Sequence, residues 1–144
     1  MGLINLASGS SLWKGIEYYQ KGKVKSVKQI DENTYKSEVQ GSDNKSYHVH
    51  IDIEHPRKSK CNCPFADGRR VICKHMVALY FTVRPEEAEH LIKEAEEIEN
   101  EEELLFQEKY KEIEEYVYSL SLQELRNMLI NYMLDEIDNR FRYY

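Results

Sequence analysis

The sequence predicts an α+β protein, with one helix and a small antiparallel sheet in the first half of the chain and helices in the second half. Two observations carry this prediction. Residues 46–53 alternate apolar and polar side chains and place Tyr47, Val49 and Ile51 on one face, which is typical of a half-buried strand. Residues 85–137 instead repeat apolar side chains at helical spacing, with many glutamates between them.

Residues 10–22 have the pattern of a short amphipathic helix. Its apolar face consists of Leu12, Ile16 and Tyr19. Ser10 or Ser11 is the expected N-cap, because a serine hydroxyl accepts a hydrogen bond from an unpaired backbone N–H in the first turn. Trp13 is the single tryptophan, and we expect it to pack in the core against the sheet.

Three strands are predicted after this helix. Residues 23–30 and 33–40 form a hairpin, and a second turn over residues 41–45 leads into the strand at 46–53. The resulting three-stranded antiparallel sheet has one apolar face, which the first helix and a later helix are expected to cover.

Further helices follow the sheet. Residues 76–83 are too apolar to read bases in a groove and are expected to lie in the core, and Pro85 suits the first position of the next helix. Residues 100–103 are either a continuous exposed stretch of that helix or a break in it. Ser121 and Glu124 have the spacing of a capping box, which predicts the start of a last helix.

All three cysteines lie within residues 61–75. Cys61 and Cys63 are two positions apart, as are Cys73 and His75, and a proline and an Asp-Gly dipeptide between the pairs favour a turn. In an extended segment, side chains two positions apart share a face, so Cys61 and Cys63 are able to point at one ion. The spacing of Cys73 and His75 fits a turn that enters a helix, with His75 in the first turn. Three thiolates and one imidazole form a tetrahedral set that suits a closed, structural zinc site.

Other interpretations of the thiols remain open at this stage. Free cysteines are often buried as small apolar side chains. A disulfide between Cys61 and Cys73 would leave one thiol unpaired, and the chain shows no pattern of a secretory signal. Cys73 and His75 could also act as nucleophile and base, although no third group that would orient the base is evident.

The remaining histidines offer two further alternatives. His48 and His50 share a strand face with Asp52 and could hold a second metal, or they could belong to a solvated polar face. His50 or His55 could replace His75 as the fourth ligand. Local spacing favours His75, because a ligand two residues from Cys73 costs little entropy to order.

The C-x-C-x9-C-x-H pattern resembles the SWIM-type zinc finger, named for Swi/Snf-type ATPases and MuDR-type transposases. Cys61, Cys63, Cys73 and His75 each match one ligand of that motif, and the surrounding Cys-Asn-Cys-Pro-Phe and Cys-Lys-His-Met-Val-Ala segments are also similar. Weaker similarity extends over the segments at 15–24 and 120–125. The resemblance implies a ββα-like zinc module that binds DNA or proteins, alone or attached to a larger machine.

Charge divides the chain into two parts. Residues 1–83 contain 13 Lys/Arg and 8 Asp/Glu, whereas residues 84–144 contain 7 and 18, so a mildly basic half precedes a strongly acidic one. We therefore predict a SWIM-like zinc finger domain over 1–83 and an acidic helical extension over 84–144. The glutamate-rich run is either a solvated helix face or a nucleic-acid mimic that covers the basic half.

The expected function is a structural Cys3His zinc module that mediates nucleic-acid binding, with DNA as the expected target. The candidate contacts are the cations near the ligands: Arg57, Lys58, Lys60, Arg69, Arg70 and Lys74. The alternative is a protein-interaction module that docks onto a larger partner such as a Swi/Snf-type ATPase.

Several other classes of function are not expected. We expect no catalytic residue and no small-molecule substrate, since the sequence has no P-loop, dinucleotide-binding or HExxH motif. We expect no membrane segment, since the mean hydropathy is −0.71 and no apolar run is long enough. Thiols kept for a metal favour a cytoplasmic location.

Overall fold

An antiparallel sheet and a buried helix form the frame of the first part of the chain. The computed structural model describes residues 2–142, which contain four α-helices and one four-stranded sheet. The helices are α1 (Gly9–Gln20), α2 (Lys74–Val83), α3 (Pro85–Ser119) and α4 (Leu122–Arg142). The strands are β1 (Val24–Asp31), β2 (Thr34–Gln40), β3 (Ser46–Asp52) and β4 (Lys60–Cys61). The predicted α+β class is confirmed.

The sheet contains the predicted three strands and one more. Its strands lie in the order β1-β2-β3-β4, and each pairs with its neighbour in the antiparallel sense. Val49 and Ile51 are buried on the inner face, as the alternation along β3 predicted, and Val39 of β2 is also buried. The fourth strand has only two residues, Lys60 and Cys61, and is too short to show a period.

The first helix differs from its prediction at two positions. Its N-cap is Ser8, whose Oγ accepts a hydrogen bond from the backbone N–H of Ser11 at 3.2 Å, so the predicted Ser10 or Ser11 cap is wrong. Trp13 is 49% exposed, so its predicted place in the core is also wrong. The buried face of α1 includes Gly15 and Tyr18, and Trp13 projects from the opposite side of the helix.

The core is centred on α2, as predicted. This helix packs against α1 and against the sheet. The side chains of Met76, Val77, Leu79 and Phe81 have no exposed surface. A helix buried on more than one side is apolar around most of its circumference, which explains the composition of this segment.

The last two helices form a region that is rich in exposed side chains. Helix α3 continues through residues 100–103 without a break. The predicted capping box begins α4, since the backbone N–H of Ser121 donates to Glu124 Oε2 at 2.7 Å and the N–H of Glu124 donates to Ser121 Oγ at 3.3 Å. Contacts divide the chain into two compact units, Met1–Lys93 and Glu94–Tyr144. Within the described residues, no helix is long and apolar enough to cross a membrane.

Candidate metal centre

Short elements of the first unit position the four candidate ligands. Cys61 ends β4, where it pairs with Val49 of β3, and Cys63 follows two residues later. Asn62 lies between them in the sequence, and its Oδ1 accepts a hydrogen bond from the backbone N–H of His48 at 2.8 Å. This bond extends the attachment to β3 beyond the last paired residue, so both thiols are held beside the sheet.

A tight turn returns the chain to these two thiols. The backbone N–H groups of Ala66 and Asp67 donate to the carbonyl of Cys63 at 3.0 and 2.9 Å. Gly68 has φ of 67°, a left-handed conformation that favours glycine. The returning segment is fixed by a parallel bridge between Ile72 and Ala7.

Helix α2 provides the second pair of ligands. Cys73 is its N-cap residue, and His75 lies in its first turn. Because the apolar side chains of α2 pack in the core, the packing of the whole unit determines the positions of these two ligands.

The four side chains converge on one point. One ligand atom from each of Cys61, Cys63, Cys73 and His75 lies within 4.8 Å of all the others. His75 Nδ1 is 3.8 Å from Cys61 Sγ and 3.9 Å from Cys73 Sγ. Zn–S bonds of about 2.3 Å and Zn–N bonds of about 2.0 Å place sulfur and nitrogen about 3.5 Å apart in a tetrahedron, so small movements suffice for binding.

The imidazole of His75 is buried among aromatic side chains, with Nδ1 near the thiols. The imidazole is 3% exposed, and its Nε2 has no hydrogen-bond partner among the described residues. Its ring centroid lies 4.8 Å from that of Tyr47 and 5.5 Å from that of Tyr18. Packing against the two tyrosines therefore orients the ring so that Nδ1 faces the thiols.

The family comparison agrees with this geometry. Residues 47–83 match the SWIM zinc finger family. All four candidate ligands lie within this matched segment, which we call the SWIM finger. The match begins in β3 and ends with α2, so the weaker similarity noted around 15–24 and 120–125 lies outside it. No curated protein and no solved structure matches the chain.

The thiols of the SWIM finger share their protons unequally. The pKa of Cys73 is lowered to about 4, first by the hydrogen bond from the Cys61 thiol and also by a hydrogen bond from His75. The pKa of Cys61 is raised because it holds the proton that it donates to Cys73, and burial raises it further. Burial is the main cause of the raised pKa of Cys63. A metal ion must therefore displace protons from Cys61 and Cys63 at neutral pH.

Two of the other interpretations, a disulfide and a second metal site, lose support. All three cysteines are free and buried, so no disulfide joins Cys61 to Cys73. Within residues 2–142, no second group of three or more metal-binding side chains forms. His48 lies near the carboxylate of Glu38 (3.9 Å) and His55 near that of Asp52 (3.5 Å), and neither belongs to the Cys3His group.

Five of the six candidate nucleic-acid contacts border one groove beside the metal site. Its volume is about 1340 Å³. The predicted residues on its lining are Arg57, Lys58, Lys60, Arg69 and Arg70. Lys74 lies apart from them, with its Nζ 4.5 Å from the centre of the Tyr18 ring. The structure therefore separates Lys74 from the other candidate contacts.

The floor of the groove contains four residues that the sequence did not single out as nucleic-acid contacts. They are Lys28, Lys36, His48 and His50. The alternation along β2 and β3 could have placed Lys36 and His50 on one outer face. It could not have placed Lys28, because β1 has an irregular register between Lys25 and Lys28, where Ser26 has φ of 53°.

Proposed function

We propose that this chain is a structural zinc module that binds nucleic acid through the basic groove beside its SWIM finger, with DNA as a target. The observation that carries the proposal is the convergence of charge on this groove. Its lining includes seven Lys or Arg side chains and only two acidic ones, Glu38 and Asp67. A concave surface with this excess of positive charge attracts phosphate groups.

The role proposed for the zinc is to fix the walls of this groove. Cys61 lies next to Lys60, and the turn that carries Arg69 and Arg70 connects the two ligand pairs. One ion held by both pairs would limit the movement of these cations relative to the sheet. Zinc is the metal we propose, because three thiolates and an imidazole are its usual structural ligands.

We propose that the chain has no enzymatic activity. Four protein ligands complete a tetrahedral zinc ion, so they leave no position for a substrate or an activated water. A reducing compartment such as the cytoplasm suits thiols that must stay available for a metal.

Charge reversal in the turn tests the proposed function. Replacing both Arg69 and Arg70 with glutamate should weaken binding of a labelled DNA at least tenfold at low salt, because two attractive charges become repulsive. Fluorescence anisotropy on the zinc-loaded full chain gives the affinities. Since Arg69 donates to the carbonyl of Phe65 (3.3 Å), zinc content and circular dichroism must show that the variant is folded.

A matched control makes the result specific. Lys21 and Lys45 are exposed and lie outside the groove, so replacing both with glutamate changes the net charge by the same amount. An equal loss of affinity in both variants would show a general charge effect and would reject the groove. No binding by the unaltered protein, even at low salt, would reject nucleic acid as the target.

Exposed apolar side chains in the last two helices favour a second candidate function, docking onto a larger protein such as a Swi/Snf-type ATPase. Leu104, Phe106, Tyr118, Leu129 and Phe141 are each at least 60% exposed. Exposed apolar surface of this extent is typical of protein interaction sites. Association that is insensitive to salt, and that is lost when Leu129 is replaced with glutamate, would mark this function.

A further inference from the structure

A row of basic side chains, three lysines and one histidine, crosses the outer face of the sheet. Lys28 pairs with Lys36 across β1 and β2, Lys36 pairs with His50 across β2 and β3, and His50 pairs with Lys60 across β3 and β4. Neighbouring strands lie about 4.8 Å apart, so the row extends over about 15 Å. Within the described part of the chain, none of the ion pairs involves one of these three lysines.

The pairing of Lys28 with Lys36 opposes folding. Like charges directly opposite each other on neighbouring strands destabilise a sheet. The pKa of His50 is lowered, mainly by burial and then by the positive charge of Lys36, so its imidazole is neutral at pH 7. A carboxylate in place of Lys36 would favour the fold. A feature that lowers stability without a structural benefit is typical of a functional site.

Acidic side chains limit the row on both sides. Glu38 follows Lys36 on the same face of β2, and its carboxylate lies 3.9 Å from His48 Nδ1. Asp52 follows His50 on β3. A polyanion would therefore be repelled on either side and would lie along the row, across the strands. The row ends at Lys60 in β4, next to the segment that contains Arg57 and Lys58.

We propose that this row is a track for the sugar-phosphate backbone of a single-stranded nucleic acid, which crosses the sheet from Lys28 toward the SWIM finger. This inference rests on the proposed function and specifies the form of nucleic acid. The cations lie on the floor and the walls of a concave groove. A flexible single strand is able to enter such a groove, whereas the rigid surface of a duplex would contact mainly its rims.

The lining also indicates that the groove does not recognise the identity of the bases. Among the described residues that line the groove, none is phenylalanine, tyrosine or tryptophan. Stacking of bases on aromatic side chains, which contributes much of the affinity in many single-strand binders, is therefore absent from the floor. Binding through phosphates alone is independent of sequence and falls steeply with salt.

The experiment is a salt titration of the zinc-loaded full chain. The probes are labelled oligothymidylate and oligouridylate of about twelve nucleotides, a duplex of the same length, and a polyglutamate peptide. Replacing Lys28 and Lys36 with glutamine should weaken single-strand binding at least tenfold. It should also reduce the slope of log affinity against log salt by about 1.4, since each lost phosphate contact contributes about 0.7 for a single strand. The melting temperature should stay unchanged or rise, because repulsion within the row is relieved.

The control removes two lysines outside the groove, Lys21 and Lys45, also by glutamine. A slope that is equally reduced in control and test variants would overturn the track. The track would also be overturned if the duplex or polyglutamate bound more tightly than either single-stranded probe. If the Arg69 and Arg70 variant loses binding while the Lys28 and Lys36 variant retains the normal slope, the proposed function stands and the track is wrong. If no oligonucleotide binds, both are wrong.

Discussion

Replacing Cys73 with serine should abolish stoichiometric zinc binding and unfold the region around the site. Serine is a poor zinc ligand, and Cys73 lies at the start of α2, which packs on both α1 and the sheet. Structural zinc contributes about 10–16 kcal/mol in zinc-finger peptides, which is comparable with the ~5–15 kcal/mol total stability of a domain. Zinc analysis by mass spectrometry and amide hydrogen exchange over residues 47–83 measure the two effects.

Two comparisons make this result specific. Removing zinc from the unaltered protein with a chelator should produce the same loss of protection in the SWIM finger. Replacing the exposed His48 with alanine should leave one zinc per chain, because this side chain lies outside the Cys3His group. A Cys73→Ser protein that retains one zinc and its native protection would contradict the assignment of this ligand.

Replacing Gly15 with alanine should lower the free energy of unfolding by about 2 kcal/mol. A Cβ at this position would lie 2.3 Å from Val77 Cγ1 and 3.0 Å from the carbonyl oxygen of Lys74. Overpacking of a core costs ~1–3 kcal/mol and occasionally more, and the contact with backbone makes relaxation difficult, whereas alanine gains only ~1 kcal/mol in helix propensity. The steric cost should therefore exceed the gain. Denaturant unfolding in excess zinc measures the difference.

Gly9 provides the matched control within the same helix. A Cβ there would meet no atom within 4 Å, so replacing Gly9 with alanine should leave stability unchanged or raise it slightly. Equal stabilities of the two glycine variants would show that α1 and α2 do not approach each other as closely as the structure indicates.

Much of the architecture could be predicted because its signals are local. The alternation along β3 places Val49 and Ile51 in the core, and the capping box of Ser121 and Glu124 depends only on neighbouring residues. The four candidate ligands could be recognised because each pair is two positions apart in sequence. The turn between Cys63 and Cys73 also follows from its proline and Asp-Gly residues.

The remaining features depend on tertiary contacts. Trp13 is exposed because the close approach of α2 at Gly15 sets which face of α1 is buried, and the apolar pattern of α1 does not encode that approach. Ser8 caps α1 in place of Ser10 or Ser11, since the helix begins earlier than its apolar residues suggest. The row of Lys28, Lys36, His50 and Lys60 depends on the register of four strands, including an irregularity in β1 near Ser26.

X-ray absorption spectroscopy at the zinc edge tests the central claim, a closed Cys3His centre, most directly. The zinc-loaded protein should show three sulfur atoms at about 2.3 Å and one nitrogen atom at about 2.0 Å. This result would match the convergence of Cys61, Cys63, Cys73 and His75 and a structural role for the ion. Two sulfur atoms, or an oxygen from water in the first coordination shell, would contradict the closed centre and would make a catalytic role the better interpretation.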